Sequence, residues 1–244
     1  MKKIKSALIS VSDKSNLRPL LQTLKNNNIK IISSGGTFKE IQKLKYKCLD
    51  ISNFTGFSEI LEGRVKTLHP KIHAGILNKR KNKSHQKDLK INNFENIDLV
   101  IVNFYPFEQA LKKNQNHDNI IENIDIGGPA MVRAAAKNYN DVTVITSKDQ
   151  YSELIDQLKN NKGSTVLKFR KKMSQLAFAE TAYYDAVISN YFNEISKTNF
   201  PKNSKFTCSF NTSSLNRIIR QASQSCKHDD EYKCGLPPNI NCNN

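Results

Sequence analysis

The chain has 244 residues, 38% of them hydrophobic and 25% charged, with a formal net charge of +16. That length and apolar fraction suit one or two globular domains whose core forms unaided, and no apolar run is long enough to cross a bilayer. The lysines are spread through the chain beside abundant Asn and Ile, with no helix-turn-helix, finger or RNA-reading aromatic motif, so an anionic small substrate is expected, and neither nucleic acid nor a membrane is. Met1-Lys2-Lys3-Ile4-Lys5 leads into one short apolar stretch rather than a secretory core, which reads as cytoplasmic. Cys48 stands apart from Cys208, Cys226, Cys234 and Cys242, and there is no Cys-x-x-Cys pair. Cys226-Lys227-His228 lacks zinc spacing, so reduced thiols and no metal site are expected.

Residues 7–11, Ala-Leu-Ile-Ser-Val, read as a buried strand. Ser12-Asp13-Lys14-Ser15-Asn16 then starts a helix whose Leu17, Leu20, Leu21 and Leu24 recur at helical spacing until three asparagines end it. A second strand at 29–32 leads through Ser33-Ser34-Gly35-Gly36-Thr37 into a helix at 38–44. Two strand-loop-helix units thus carry small, donor-rich loops in the same relative place. In a parallel sheet both loops lie at the carboxyl ends of strands, where glycines let backbone amides approach an oxyanion.

Residues 63–75, Gly-Arg-Val-Lys-Thr-Leu-His-Pro-Lys-Ile-His-Ala-Gly, set five basic side chains between two glycines. Pro70 and the lack of an apolar period predict a loop built to meet an anion. Residues 78–96 are polar and predict a surface excursion with one short helix. A third strand is expected at 99–103, a helix at 130–138 with Pro129 in its first turn, a fourth strand at 142–145, a helix at 148–158 and a long amphipathic helix at 166–192. Alternating strand and helix predicts an α/β three-layer sandwich with a mainly parallel sheet.

Several motifs in order carry a resemblance: Ser-Val-Ser-Asp-Lys at 10–14, Ser-Gly-Gly-Thr at 34–37, Thr-Gly-Phe at 55–57, the basic stretch at 63–75, Asn-Phe-Tyr-Pro-Phe at 103–107, Asp-Ile-Gly-Gly-Pro-Ala-Met-Val-Arg-Ala-Ala-Ala-Lys-Asn at 125–138, and Ala-Phe-Ala-Glu-Thr-Ala-Tyr-Tyr-Asp at 177–185. Together these resemble IMP cyclohydrolase, the N-terminal half of the bifunctional purine biosynthesis enzymes, which has the methylglyoxal-synthase-like fold. The likeness implies closure of the purine ring of 5-formamidoimidazole-4-carboxamide ribotide to IMP, with no metal or organic cofactor, and a homodimer.

Residue by residue, the resemblance implies that Lys66 stabilises the developing oxyanion and that Asp125, helped by the Tyr105 hydroxyl, takes the carboxamide proton. It makes Lys137 the proton donor and acceptor. It implies that Ser12, Lys14, Ser34, Gly35, Gly36, Thr37, Arg64 and Thr67 hold the ribotide phosphate, and that Asn103, Ile126 and Gly127 lie against the base. His69 and His73 read as supporting residues. The domain is expected over residues 1–195. Residues 196–244 carry no formyltransferase signature, and a disordered tail with one short helix near 215–222 is expected there. Two rival readings are a methylglyoxal synthase and a nucleotide-sensing module without turnover.

Overall fold

The computed structural model describes residues 1–112 and 116–196. Within them Ser6–Val11 (β2), Lys30–Ser33 (β3), Leu49–Asp50 (β4), Leu99–Asn103 (β5) and Thr143–Ile145 (β6) form one parallel sheet. Its order is β4-β3-β2-β5-β6, with Ala7 opposite Ile31 on one side and Leu99 on the other. Lys2–Lys3 (β1) and Ser164–Thr165 (β7) pair antiparallel as a small second sheet. Ala7, Leu8, Ile9, Leu99, Val100 and Ile101 are all buried. Such continuous apolar strands need a layer on each face, and helices supply both, as the sequence predicts.

On one side, Pro70–Leu77 (α4), Gly127–Lys137 (α8) and Leu167–Ser196 (α10) pack together, with α8 and α10 against β6. Elsewhere Leu17–Asn26 (α1) packs on Tyr151–Asn160 (α9) and on β3. The leucines read from sequence as its buried stripe are buried, and Asn28 past its end takes a left-handed backbone at φ 54°. Gly35–Lys43 (α2) follows β3, and Ile51–Thr55 (α3) follows β4. Lys83–Ile91 (α5) is the short helix of the polar excursion. Phe107–Lys112 (α6) and His117–Glu122 (α7) precede α8, and a smaller core of Phe107, Ile120 and Tyr184 joins this region to α10. No helix among the described residues is long and apolar enough to cross a membrane.

The basic stretch is not the loop that its proline suggests. Residues 70–77 form α4, with Pro70 in its first turn, where the missing N–H has no helical partner to lose. Ile72 and Ile76 are fully buried one helical turn apart. The apolar period is present but runs past Gly75. His69 caps the helix, its Nδ1 accepting the Lys71 amide at 3.1 Å. The two-glycine loop also differs: α2 begins at Gly35 rather than Phe38. The expected tail at 196–244 and its helix near 215–222 lie outside the described residues, apart from the end of α10.

Candidate active site

Numbered in chain order, the five parallel strands lie 3-2-1-4-5 across the sheet, so connections leave in opposite directions from β2 and β5. A crevice opens at such a reversal, at the carboxyl ends of the two strands. Asn103, the last residue of β5, spans it. Its Oδ1 accepts the amides of Ser12 and Asp13 at 2.6 and 3.1 Å, and its Nδ2 donates to the Asp13 carbonyl at 3.1 Å. The Asp13 carboxylate pairs with Lys148 at 2.8 Å and accepts the Ser15 amide at 2.9 Å. The hydrogen bond from Lys148 holds its pKa well below the usual carboxylate range.

Across the crevice, the start of α2 presents Ser34, Gly35 and Gly36. The Ser34 side chain is 4% exposed on a whole-residue basis, and its Oγ has no hydrogen-bond partner. Gly35 sits at φ 52°, a backbone that L side chains rarely adopt. Lys66 Nζ lies 3.5 Å from where a Cβ on Gly35 would stand, and Lys14 Nζ 3.6 Å from that of Gly36. A buried unpartnered hydroxyl, two ammonium groups and the first amides of a helix thus face one point. That donor set suits an anion with several oxygens. The cavity between them, about 60 Å³, is lined by Ser12, Lys14, Ser34, Gly36, Lys66 and Asp125, and reaches Asn103 and Tyr105.

Asp125 enters this cavity from the turn before α8. Its Oδ1 accepts the Gly128 amide at 2.8 Å. A Cβ on Gly128 would stand 2.3 Å from Asp125 Oδ2, so only glycine lets the carboxylate lie this close to the helix start. Burial raises the Asp125 pKa, against the Gly128 amide and the Lys66 charge, which both favour the ionised form. The Asp125 amide donates to the Tyr184 hydroxyl at 2.8 Å. Tyr105, 49% exposed, forms the rim of the cavity.

A larger cavity of about 610 Å³ shares Ser12, Asn103 and Tyr105 with the first, but Glu108 and Glu180 line it. Burial and the neighbouring Glu108 raise the Glu180 pKa, and the Tyr183 hydroxyl donates to Glu108. Two carboxylates make it unsuited to a phosphate. The small basic cavity is therefore the better candidate for an anion, despite the difference in size.

Lys66, Tyr105 and Asp125 are brought together with Ser12, Lys14, Ser34, Gly35 and Gly36. The other expected residues are placed differently. Arg64 is exposed and held in a two-pronged pair with Glu122, so it is not among the cavity lining. Thr67 is buried against the start of α8, its Oγ1 2.1 Å from where a Cβ on Gly127 would stand. The Thr37 hydroxyl is engaged with Val11, accepting its amide and donating to its carbonyl, which leaves only the Thr37 backbone for a ligand. The Asn103 side chain holds the 12–13 turn rather than facing a base. Lys137 is exposed at the far end of α8, about 15 Å along the axis from Gly127 and beyond a lysine's reach of Asp125. Ile126 is 60% exposed beside Asp125. Tyr184 and Gly128 were not singled out by sequence, although a hydroxyl on the buried stripe of a long helix must find a partner.

Two family profiles match the chain, the MGS-like domain over residues 16–130 and the AICARFT/IMPCHase bienzyme over residues 135–220. The chain is 54% identical over 187 residues to the bifunctional purine biosynthesis protein PurH of Prochlorococcus marinus, which covers 76% of this chain and 36% of that protein. It is 48% identical over 206 residues to the protein of that name from Acetivibrio thermocellus, covering 84% and 40%. The identity to that of Bradyrhizobium diazoefficiens is 47% over 192 residues, covering 79% and 36%. The chain thus spans well under half the length of these curated relatives. Among solved structures it is similar to one titled "Crystal structure of ForH", with a TM-score of 0.70 and 28% identity over 78% of this chain and 97% of the other.

Proposed function

The chain belongs to the bifunctional purine biosynthesis proteins and carries their MGS-like domain, and from that premise we propose that it is an IMP cyclohydrolase. It would close the purine ring of 5-formamidoimidazole-4-carboxamide ribotide, releasing water and IMP. The observation that supports this best is the meeting of an acid, Asp125, and a cation, Lys66, beside a basic cradle fit for a ribotide phosphate.

The carboxamide nitrogen is a weak nucleophile because its lone pair is delocalised into the carbonyl. As it bonds to the formyl carbon it gives up one proton, which Asp125 accepts, and the formyl oxygen takes on negative charge opposite the Lys66 ammonium. Loss of that oxygen, with one proton from each of the two nitrogens, forms the ring C=N bond and water. Tyr105 on the rim donates to the departing oxygen. Ser34, Lys14 and the amides of Gly36 and Thr37 hold the phosphate, which fixes the ring against the acid. Arg64 and Lys137 are given no step. The cyclohydrolase domain in this reading covers residues 1–195 and acts as a homodimer in the cytoplasm.

The purified chain, incubated with the formamido ribotide, should produce IMP, followed by absorbance. Turnover of a triose phosphate, with none of the ribotide, would favour a phosphate-eliminating enzyme instead. Ribotide binding without turnover would favour a sensing module.

A further inference from the structure

Tyr184 lies on α10, far along the chain from every residue of the cavity, yet it touches both loops that carry the chemistry. Its hydroxyl accepts the Asp125 amide at 2.8 Å and donates to the Asn123 carbonyl at 3.4 Å. Its ring packs on Phe104 with centroids 4.9 Å apart, and on Phe107 at 6.4 Å, edge to face. Phe104 stands between Asn103 and Tyr105. One buried side chain therefore fixes the turn that presents Asp125 and the segment that presents Tyr105. The Asp125 carboxylate is itself tied to α8 through Gly128, so the backbone on its other side is the remaining freedom. The Tyr184 hydroxyl removes it.

We infer that Tyr184 is a positioning residue for Asp125, setting the distance between the acid and the carboxamide nitrogen it serves. It need not touch the substrate. Its ring is part of the smaller core, so its removal would also loosen α10, whereas loss of the hydroxyl alone would not. Burial pushes its pKa up to about 12, so the hydroxyl stays protonated and keeps both hydrogen bonds across the working pH range. A displacement of the acid by an ångström is enough to cost about 100-fold in rate.

The kinetic half of this inference rests on the ring-closure reading, and the structural half does not. The full chain carrying Tyr184→Phe should fold, with kcat on the formamido ribotide lowered by about 100-fold and KM changed by no more than about twofold. In an Asp125→Asn background the same change should cost less than a further twofold or so, because the residue acts through that acid. Wild-type kcat in Tyr184→Phe, or an undiminished loss in the Asp125→Asn background, would overturn the inference. Hydrogen exchange at the Asp125 amide gives a readout without substrate. That amide should be protected in the wild-type chain and exchange about tenfold or more faster in Tyr184→Phe. An unprotected amide in the wild type would overturn the inference even if the variant failed to fold. Should the wild type not turn over the ribotide, the ring-closure reading falls and amide exchange alone decides on Tyr184.

Discussion

In the proposed reaction Asp125 works as a base only when ionised, and burial raises its pKa above the ordinary value of 3.8. The rate must therefore fall as pH drops through a point higher than an exposed carboxylate would give, and Asp125→Asn should lose both that acid limb and about 100-fold or more in kcat. The sign for stability is opposite: a raised pKa means that the folded state holds the proton more tightly, so this group's contribution falls as pH rises from the ordinary carboxylate range through the raised value. Asp125→Asn should accordingly not lower the urea midpoint at pH 7. Lys66→Ala should reduce kcat about 100-fold, whereas Lys137→Ala should change it by less than about tenfold, since that side chain stands a helix length away. Equal losses at the two lysines would reverse this ordering. The sequence made the residue types legible but not their aim. Arg64, Lys66 and Thr67 are near neighbours in one motif, yet one meets Glu122, one meets the cradle and one packs under α8. Glu122 is 58 residues from Arg64, and nothing local announces that pair.

Among the elements, four of the five parallel strands are readable because a sheet covered on both faces leaves an apolar run at each, whereas Leu49–Asp50, two half-buried residues at the sheet edge, shows none. The helix at 70–77 is hidden in the sequence because Pro70 reads as a breaker although it occupies a first turn, and because its second buried residue, Ile76, lies beyond the motif. Two junctions between elements matter to the site. Gly128→Ala would push a Cβ into the Asp125 carboxylate, so kcat should fall about 10- to 100-fold while α8, which favours alanine, is retained by circular dichroism. At the switch point, Asn103→Ala would free the Ser12 and Asp13 amides and loosen the turn that carries Lys14. KM for the ribotide should rise about tenfold, with kcat less affected. A rise in neither would mean that the turn holds its shape unaided.

At the scale of the whole molecule, the three-layer architecture was legible from alternation alone, but the anchoring of α10 was not. Arg170, 3% exposed, donates to the carbonyls of Tyr139, Asn140 and Thr165 at 2.8, 3.1 and 2.6 Å, tying the start of α10 to the turn after α8. An arginine in a basic sequence gives no hint of that. Arg170→Met should lower unfolding free energy by about 3 kcal/mol in urea titration, with the folded fraction retaining its kcat. The middle of the same helix carries Tyr184, so α10 links the fold's stability to the placement of the acid. In the proposed reaction one cradle takes the phosphate and sets the ring between Lys66 and Asp125. A crystal structure of the chain with IMP bound tests it most directly. The phosphate should lie within hydrogen-bond distance of Ser34 Oγ, the Gly36 amide and Lys14 Nζ, with the purine against Asp125. A phosphate held instead by Arg64, or a purine seated in the acidic cavity beside Glu108 and Glu180, would contradict it.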